Sequence, residues 1–351
     1  MSDAHDDPPP IGPFIARAMS GVPLAAAEAA AAFLAVMEGR ATPVQITALL
    51  VALRIRHESP AEVAGGVRAL RAAMVPVPAH APDELVDTCG TGGGTFTTFN
   101  ISTVAALVAA GAGVRIAKHG NRSFSSRCGS ADVLAELGVN LDLSPDRMAG
   151  VLAEAGIVFM FAPLLHPAMK HVAPIRRELG VGTIMNLLGP LTNPAGARRP
   201  VVGVADPGLL DLIAGALLEL DHLHALVVHG EPGLDEISPI GPTDIVEVLG
   251  GRLDRYRVSP EELLGESIGD ADNLGGGSPA DNARVLLGVL QGTTRGAARA
   301  AVLLNAGAAI YIGGRAETLG AGVAAARQAL DKGAGLAALD RLRAATRAVP
   351  A

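Results

Sequence analysis

The sequence has 351 residues, a formal net charge of −7 and no tryptophan, although 49% of its residues are hydrophobic. The negative charge and the lack of any basic run argue against nucleic-acid binding. No apolar run reaches the roughly 18 uncharged residues that a membrane span needs. The only cysteines, Cys89 and Cys128, show no metal-type spacing and are typical of reduced thiols. We therefore expect a cytoplasmic protein that binds neither nucleic acid nor a membrane.

The N-terminal part of the chain predicts a helical domain. Residues 1–11 include three consecutive prolines and predict a flexible tail. Residues 12–76 predict helices, with N-cap and first-turn signals at Thr42-Pro43 and at Ser59-Pro60. Glu62 adds a capping box to the second of these starts. A proline-rich stretch at 75–82 then ends the pattern and marks a domain boundary.

From residue 77 onward, short apolar segments alternate with helical ones. Strands are predicted at 84–89, 114–117, 158–161, 201–204, 225–228 and 245–248. Helices are predicted at 102–111, 131–137, 167–179, 209–220, 282–290 and 295–310. This alternation predicts an α/β fold with a mainly parallel central sheet, in a domain of residues 77–166 and 191–345. The segment 167–190 is expected to rejoin the N-terminal helices.

A glycine-rich segment follows the first predicted strand. Its glycines are Gly90, Gly92, Gly93 and Gly94. Without Cβ atoms, such a backbone can turn sharply and approach a phosphate closely. Asn100, Ser102 and Thr103 stand where the next helix begins, and free N–H groups there favour an anion. A glycine cluster is also a common structural turn, so this segment alone leaves both interpretations open.

A polar segment, 118–126, follows the second predicted strand. Loops at the carboxyl ends of parallel strands meet at one edge of the sheet, so this segment should face the same crevice as the glycine loop. Lys118 supplies a point charge and Arg122 a bidentate donor. Hydroxyl groups are available at Ser123, Ser125, Ser126 and Ser130. A solvated loop is the alternative for this segment alone, but beside the glycine loop a two-part phosphate site is favoured.

Two adjacent acids, Asp235 and Glu236, follow a predicted strand and the turn residues Pro232-Gly233. Hard oxygen ligands suit Mg²⁺ that is bound to a polyphosphate. Adjacent acids on a loop are more often simply exposed. The magnesium interpretation therefore depends on their lying beside the two phosphate segments.

Together these motifs resemble those of the anthranilate phosphoribosyltransferases. The similar stretches are 90–103, 118–122, 166–194, the Asp235-Glu236 pair and 303–306, and the resemblance extends over nearly the whole chain. It implies a small helical domain beside a larger α/β domain, with the active site in the cleft, and a homodimer formed through the helical domains. It also implies transfer of a phosphoribosyl group from phosphoribosyl pyrophosphate (PRPP) to anthranilate, an early step toward tryptophan.

The resemblance also assigns residues. By this resemblance, PRPP would contact Gly90, Gly93, Thr98, Asn100, Ser102, Thr103, Lys118 and Ser130. We further expect contacts from the neighbouring residues of the two phosphate segments, Gly94, Ile101, His119, Gly120, Asn121, Arg122, Ser123, Ser125 and Ser126. Mg²⁺, with two ions expected per active site, would be organised by Ser102, Asp235 and Glu236. Anthranilate would contact Gly90, Asn121, His166 and Arg176. The catalytic group would comprise Lys118, His119, Asn121 and Arg176.

One position departs from the family pattern. The family's loop commonly reads Gly-Thr-Gly-Gly-Asp-Gly, whereas Gly94-Thr95 stands here in place of Asp-Gly. A carboxylate close to the pyrophosphate or its metal is thereby missing. We expect a changed Mg²⁺ response and a changed substrate affinity but retained activity, because Asp235 and Glu236 remain.

Two other functions are compatible with this architecture. A pyrimidine nucleoside phosphorylase would use phosphate as the nucleophile and would need a nucleobase pocket. A non-catalytic, nucleic-acid-binding relative would need a basic groove and degraded phosphate loops. The Asp235-Glu236 pair, Lys118 and the His119-Gly120-Asn121 run favour a metal-bound pyrophosphate and an amine acceptor, and the acidic net charge opposes the second alternative.

Overall fold

The structure is a computed structural model that describes residues 11–94, 96–122, 127–268, 271 and 274–347. The predicted tail falls outside these ranges except for its last residue, Ile11. Thr95 and three of the predicted phosphate ligands, Ser123, Ser125 and Ser126, also lie outside the described residues.

The N-terminal helices form a bundle. They are α1 (Gly12–Met19), α2 (Ala26–Met37), α3 (Pro43–Arg56) and α4 (Pro60–Ala73). The N-caps predicted at Thr42 and Ser59 are confirmed, since their hydroxyls accept the N–H groups of Gln45 and Glu62, each at 3.3 Å. The buried Glu62 accepts in return from the N–H of Ser59 and also from that of Leu24, both at 2.8 Å. One carboxylate thus ties the start of α4 to the segment that leads into α2.

A seven-stranded sheet forms the centre of the second domain. Its strands are β1 (Leu85–Gly90), β2 (Arg115–Gly120), β3 (Ile157–Phe161), β4 (Arg199–Gly203), β5 (His224–Gly230), β6 (Thr243–Leu249) and β7 (Arg252–Val258). Their order is β3-β2-β1-β4-β5-β6-β7, and only the β5–β6 and β6–β7 pairs are antiparallel. The prediction of a mainly parallel sheet is therefore confirmed. The edge strand β7 was not among the predicted strands.

Helices cover both faces of the sheet. They are α5 (Ile101–Gly111), α6 (Ser130–Glu136), α7 (Pro145–Ala155), α8 (Ala162–Leu165), α9 (Ala173–Leu179), α10 (Met185–Leu191), α11 (Leu210–Glu219), α12 (Pro260–Leu264), α13 (Pro279–Leu290), α14 (Gly296–Ile312), α15 (Leu319–Asp331) and α16 (Ala334–Arg347). Successive strand residues point to opposite faces. Accordingly Leu226 packs in one hydrophobic core with α5 and α14, whereas Val227 packs in another with α11 and the N-terminal bundle.

The segment 167–190 differs in detail from the prediction. In place of one helix over 167–179 there is a 3₁₀ turn, Pro167–His171, followed by α9, and Pro174 lies in the first turn of α9. Proline cannot continue a preceding helix, which explains the break before α9. Val172, Ile184 and Leu188 share the hydrophobic core of α2–α4. This packing supports the proposal that the segment belongs with the helical domain. None of the helices that the structure describes is long and apolar enough to cross a membrane.

Candidate active site

The candidate site lies at the carboxyl ends of the parallel strands. The chain places β2 and β3 on one side of β1 and places β4 and β5 on the other side, so the strand order reverses between β1 and β4. Such a reversal opens a crevice where ligands bind in α/β sheets. The loops after β1, β2 and β5 carry the three predicted site segments, and all three open at this edge.

The glycine loop begins where β1 ends, at Gly90. Gly92 and Gly93 have φ angles of +64° and +83°, a left-handed conformation that other residues rarely adopt. Asn100 then occupies the N-cap position of α5. Ile101 is 1% exposed, so only its backbone is available to a ligand. The loop therefore presents backbone N–H groups and a helix N-terminus to the crevice, as an anion site requires.

The acid pair is hydrogen-bonded to this loop. Asp235 Oδ2 accepts the N–H of Gly92 at 3.2 Å, and Glu236 Oε1 accepts the N–H of Ser102, in the first turn of α5, at 3.0 Å. Close backbone approach makes this possible, because a Cβ on Gly203 would overlap the carbonyl of Asp235. In this structure the two carboxylates thus occupy donors that a phosphate would also use.

The pKa values of both acids are raised. Burial raises the pKa of Asp235, and burial together with the neighbouring Asp235 raises the pKa of Glu236 to about 8. Carboxylates with raised pKa values bind protons more readily and gain from a nearby cation. Among the described residues, no group of three or more His, Cys, Asp or Glu side chains could hold a metal ion. The pair fits a Mg²⁺ ion that takes its other ligands from a polyphosphate and water.

Lys118 lies beside the acid pair and is 4% exposed. Its Nζ donates to the carbonyl of Thr88, to Thr88 Oγ1 at 3.2 Å and to Ser102 Oγ at 3.3 Å. Burial lowers the pKa of Lys118, while the nearby Asp87 opposes that shift. Burial in turn raises the pKa of Asp87 to about 6, although Lys118 opposes it. The lysine therefore joins β1, β2 and the start of α5.

His119 and His166 form a contact pair. Their Nε2 atoms are 3.1 Å apart, so one ring donates and the other accepts. Burial, followed by the neighbouring His166, lowers the pKa of His119 to about 3, and burial lowers the pKa of His166 to about 4. Both imidazoles are therefore neutral at pH 7, which suits hydrogen bonding more than charge stabilisation.

The residues after β2 form hydrogen bonds and an ion pair among themselves and with α6. Asn121 Oδ1 accepts the N–H of Arg122 at 2.7 Å, and Ser130 Oγ donates to the carbonyl of Asn121 at 3.3 Å. Gly120 leaves room for this, since a Cβ there would overlap Ser130 Oγ. The guanidinium of Arg122 pairs with Asp132 at 2.8 Å. Here Arg122 is thus paired with an acid through one nitrogen, while its side chain remains 60% exposed.

Arg176 lies on α9, and its side chain is half-buried. Burial lowers the pKa of its guanidinium. Within the described ranges its side chain forms neither an ion pair nor a hydrogen bond. A partly buried cation without a counter-ion is suited to binding an anionic ligand.

The remaining predicted ligands differ in accessibility. Thr98 pairs with Gly275 through an isolated β-bridge. Thr103 is 2% exposed, and its Oγ1 has no hydrogen-bond partner among the described residues. Gly94 lies close to the acid segment, since a Cβ added there would be 3.0 Å from the carbonyl oxygen of Gly233.

Three asparagines that contact the site segments were missed at the sequence level: Asn193, Asn282 and Asn305. The available signal was a polar amide within an apolar stretch, as in Leu303-Leu304-Asn305-Ala306. Such a residue is buried only when its hydrogen bonds are satisfied, and it therefore points to a specific partner.

Family models match the chain in two parts. The helical bundle domain of a glycosyl transferase family matches residues 12–74, and the α/β domain of a glycosyl transferase family matches residues 82–336. The chain therefore belongs to this class of transferases.

Individual relatives define the family further. The anthranilate phosphoribosyltransferase of Rubrobacter xylanophilus is 52% identical over 325 residues, which cover 93% of this chain and 94% of that protein. The crystal structure of the Thermus thermophilus enzyme has a TM-score of 0.89 at 46% identity and matches 95% of this chain and 99% of that one. The Saccharomyces cerevisiae enzyme, solved with PRPP and Mg, has a TM-score of 0.86 at 25% identity, with 97% and 98% covered. This chain belongs to the anthranilate phosphoribosyltransferase family.

Proposed function

We propose that this protein transfers the 5-phosphoribosyl group of PRPP to the amine of anthranilate, giving N-(5-phosphoribosyl)anthranilate and pyrophosphate. The observation that carries the proposal is the joining of the glycine loop to Asp235 and Glu236, beside the buried Lys118. Backbone donors, a cation and two acids at one crevice match the needs of a metal-bound pyrophosphate. Membership of the family supplies the identity of the two substrates.

The glycine loop and the segment after β2 bind PRPP in this proposal. Asp235 and Glu236, with Ser102, hold Mg²⁺, and we expect two ions per active site. When bound, the ions neutralise charge on the departing pyrophosphate. Lys118 and the N–H groups of Gly92 and Ser102 act on the same developing charge. For the N–H groups of Gly92 and Ser102 to reach phosphate oxygens, Asp235 and Glu236 would release these groups and bind the cation instead.

Anthranilate binds on the side of the helical domain in this proposal. Arg176 is the natural partner for its carboxylate, because a guanidinium can bind a carboxylate through two parallel hydrogen bonds. Asn121 is exposed at the mouth of the loop after β2 and is suited to bind the amine or the carboxylate. The neutral His119–His166 pair orients the ring, with His166 nearer the helical segment.

The reaction follows from these placements. The amine nitrogen forms a bond to C1 of the ribose while the bond from C1 to the pyrophosphate oxygen breaks, and pyrophosphate leaves with the electron pair. Positioning the nucleophile roughly 3–3.5 Å from C1, opposite the leaving group, inverts the configuration at C1. The arylamine is neutral at pH 7 and loses its proton after attack, so no strong general base is required. His119 and His166 therefore act in orientation.

The test is the loss of anthranilate fluorescence in the presence of PRPP and Mg²⁺. We expect loss that depends on both, and an increased KM for anthranilate with little change in the KM for PRPP in Arg176→Ala. Arg177→Ala, whose side chain is exposed on the same helix, is the matched control. Phosphorolysis of a pyrimidine nucleoside without such loss would favour the phosphorylase alternative. Salt-dependent binding of single-stranded nucleic acid would favour the non-catalytic one.

We also propose that two copies associate through their helical domains. The exposed apolar side chains Met19, Val44 and Ile55 lie on or beside α1 and α3, at 71%, 78% and 76% exposure. An interaction surface commonly exposes large apolar side chains such as these. Sedimentation of Val44→Glu should show a smaller species than the unaltered protein, whereas equal sizes would exclude α3 from the interface. A cytoplasmic location stays a prediction.

A further inference from the structure

Three asparagines are buried within the described ranges, and each lies beside a different segment of the site. Asn193 follows α10, Asn282 lies on α13 and Asn305 lies on α14, with exposures of 2–3%. A side-chain amide offers one acceptor oxygen and two N–H donors, and burial requires that they find partners. In all three residues Oδ1 accepts backbone N–H groups while Nδ2 donates to another part of the chain.

Asn305 holds the acid segment through Ile237, the residue after Glu236. Its Oδ1 accepts the N–H of Ile237 at 2.9 Å, and its Nδ2 donates to the carbonyl of the same residue at 3.0 Å. Nδ2 also donates to the carbonyl of Ala301, one turn back on α14, at 2.9 Å. A residue on a neighbouring β-strand would exchange hydrogen bonds in the same two-way manner. The peptide that follows the acid pair is thereby fixed to a buried helix.

Asn282, on α13, holds the end of the glycine loop where α5 begins. Its Nδ2 donates to Oδ1 of Asn100, the N-cap of α5, at 2.9 Å, and its Oδ1 accepts the N–H of Gly277 at 2.8 Å. The segment 274–277 in turn pairs with the loop, since the N–H of Phe99 donates to Leu274 at 2.9 Å. One amide therefore joins the start of α13, this segment and the helix N-terminus that faces the crevice.

Asn193 holds the two strands that carry Lys118 and its acidic neighbour. Its Nδ2 donates to Asp87 Oδ2 at 2.7 Å and to the carbonyl of Ala117 at 2.8 Å, so it bridges β1 and β2. Its Oδ1 accepts the N–H of Ala195 at 2.9 Å. The opposite oxygen of Asp87 accepts the N–H of His119 at 3.2 Å. The position of Lys118, between Ala117 and His119, is fixed on both sides.

We propose that Asn193, Asn282 and Asn305 are positioning residues, each of which holds one of the three ligand-binding segments of the active site in register with the other two. The proposal rests on the function proposed above, because it concerns the same site. The need for such support is physical: glycine-rich backbone loses much conformational entropy on ordering and has no side chains to pack. Each asparagine acts through the segment that it holds.

Aspartate is the appropriate replacement at each position. It keeps the shape of asparagine and the acceptor oxygen, and it removes the Nδ2 donor. This donor makes the contact to the site segment in Asn193 and Asn282, and one of the two contacts to Ile237 in Asn305. Asn140→Asp is the matched control, because Asn140 Nδ2 also donates to a backbone carbonyl, that of Thr346 on α16, at 3.4 Å. Where an aspartate variant does not fold, serine is the second choice, because it also removes the Nδ2 donor and adds no charge.

Each variant should change a different kinetic parameter. The expected change is roughly 10–100-fold, as is usual for residues that hold ligand-binding groups in place. Asn305→Asp should raise the Mg²⁺ concentration needed for half-maximal rate. Asn282→Asp should raise the KM for PRPP. Asn193→Asp should lower kcat with smaller changes in either KM. Calorimetric titration with magnesium pyrophosphate provides a readout that is independent of turnover, and we expect weaker binding for Asn305→Asp and Asn282→Asp.

Thermal denaturation separates positioning from folding. Folded variants that share one uniform decrease in kcat, with unchanged Mg²⁺ and PRPP responses, would overturn the proposal, and so would variants that behave like Asn140→Asp. If the unaltered protein and Asn140→Asp both fail to consume anthranilate, the proposed function is wrong. In that case the magnesium pyrophosphate titration still decides whether these residues support an anion site.

Discussion

Two carboxylate sites lie at opposite ends of the central sheet, and they are built differently. One is the buried Glu247, and the other is the half-buried pair Asp235 and Glu236. At the amino ends of the parallel strands, Glu247 accepts from His224 Nε2 at 2.6 Å, Tyr311 at 2.8 Å and Tyr256 at 2.9 Å. Burial alone would raise the pKa of Glu247, but these three hydrogen bonds hold it below its ordinary value. Both tyrosines of the chain are used on this one acid.

At the carboxyl ends, Asp235 accepts the N–H of Gly92 and Glu236 accepts the N–H of Ser102, but burial dominates and the pKa values of both acids are raised. The two sites differ in how far hydrogen bonds compensate the burial of the carboxylates. A carboxylate whose hydrogen bonds outweigh the cost of burial contributes to stability, whereas a pair whose hydrogen bonds do not offset burial and mutual repulsion is poised for a cation. We therefore expect changes at the carboxyl end to affect activity and changes at the amino end to affect the free energy of unfolding.

The largest expected effect is on activity, in Lys118→Ala. Removal of a donor that stabilises the departing charge should lower kcat about 10²–10³-fold. The assay is the initial rate of anthranilate consumption at saturating PRPP and Mg²⁺. Lys332→Ala, on the exposed side of α15's end, is the control and should retain the full rate. Equal rates in the two variants would remove Lys118 from the mechanism.

Glu236→Gln should lose Mg²⁺-dependent activity and gain stability in the ligand-free protein at alkaline pH. Folded Glu236 keeps its proton up to about pH 8, whereas an unfolded glutamate loses it near ~4.3. Between these values the folded state binds more protons, so its free energy of unfolding falls as pH rises. At pH 9 the variant should melt about 2–4 °C above the unaltered protein, with a smaller gap at pH 5. A difference in melting temperature that is the same at pH 5 and pH 9 would contradict a raised pKa of Glu236.

Tyr256→Phe should affect the opposite end of the sheet. Loss of a hydrogen bond to a charged group should lower the free energy of unfolding by about 1.5–3 kcal/mol, with no change in either KM. Denaturant unfolding at pH 7 measures the free energy of unfolding of both proteins. Because the pKa of folded Glu247 is lowered, its contribution is present above the unfolded value of ~4.3 and is lost as pH falls further. The loss of unfolding free energy in the variant should therefore become smaller in acid. A changed KM would contradict the expectation that the amino end of the sheet affects stability and not activity.

The sequence predicted the fold well where burial dominates. The parallel strands lie in apolar runs, and the caps at Thr42 and Ser59 follow from local hydrogen bonding. Strand β7 escaped prediction because Arg252, Asp254 and Arg257 interrupt its apolar pattern, which an exposed edge strand tolerates. Within the site, the motifs indicated which segments meet. The contacts that Asn193, Asn282 and Asn305 make with the site segments could not be predicted, since those partners lie 68–182 residues away in the chain.

The smallest expected effect concerns the departure from the family pattern at Gly94. An aspartate there would return a carboxylate to the glycine loop, and its Cβ would lie 3.0 Å from the carbonyl oxygen of Gly233, two residues before Asp235. That contact is tight, so the loop must shift slightly, away from the acid segment. We expect Gly94→Asp to change the Mg²⁺ concentration for half-maximal rate by about two- to fivefold, within the range of a single weak electrostatic contact, with kcat nearly unchanged. Gly94→Asn adds the same bulk without the charge and separates the two causes. If both variants shift the Mg²⁺ curve equally, the packing against Gly233 explains the response, and the missing charge at this position has no part in metal binding.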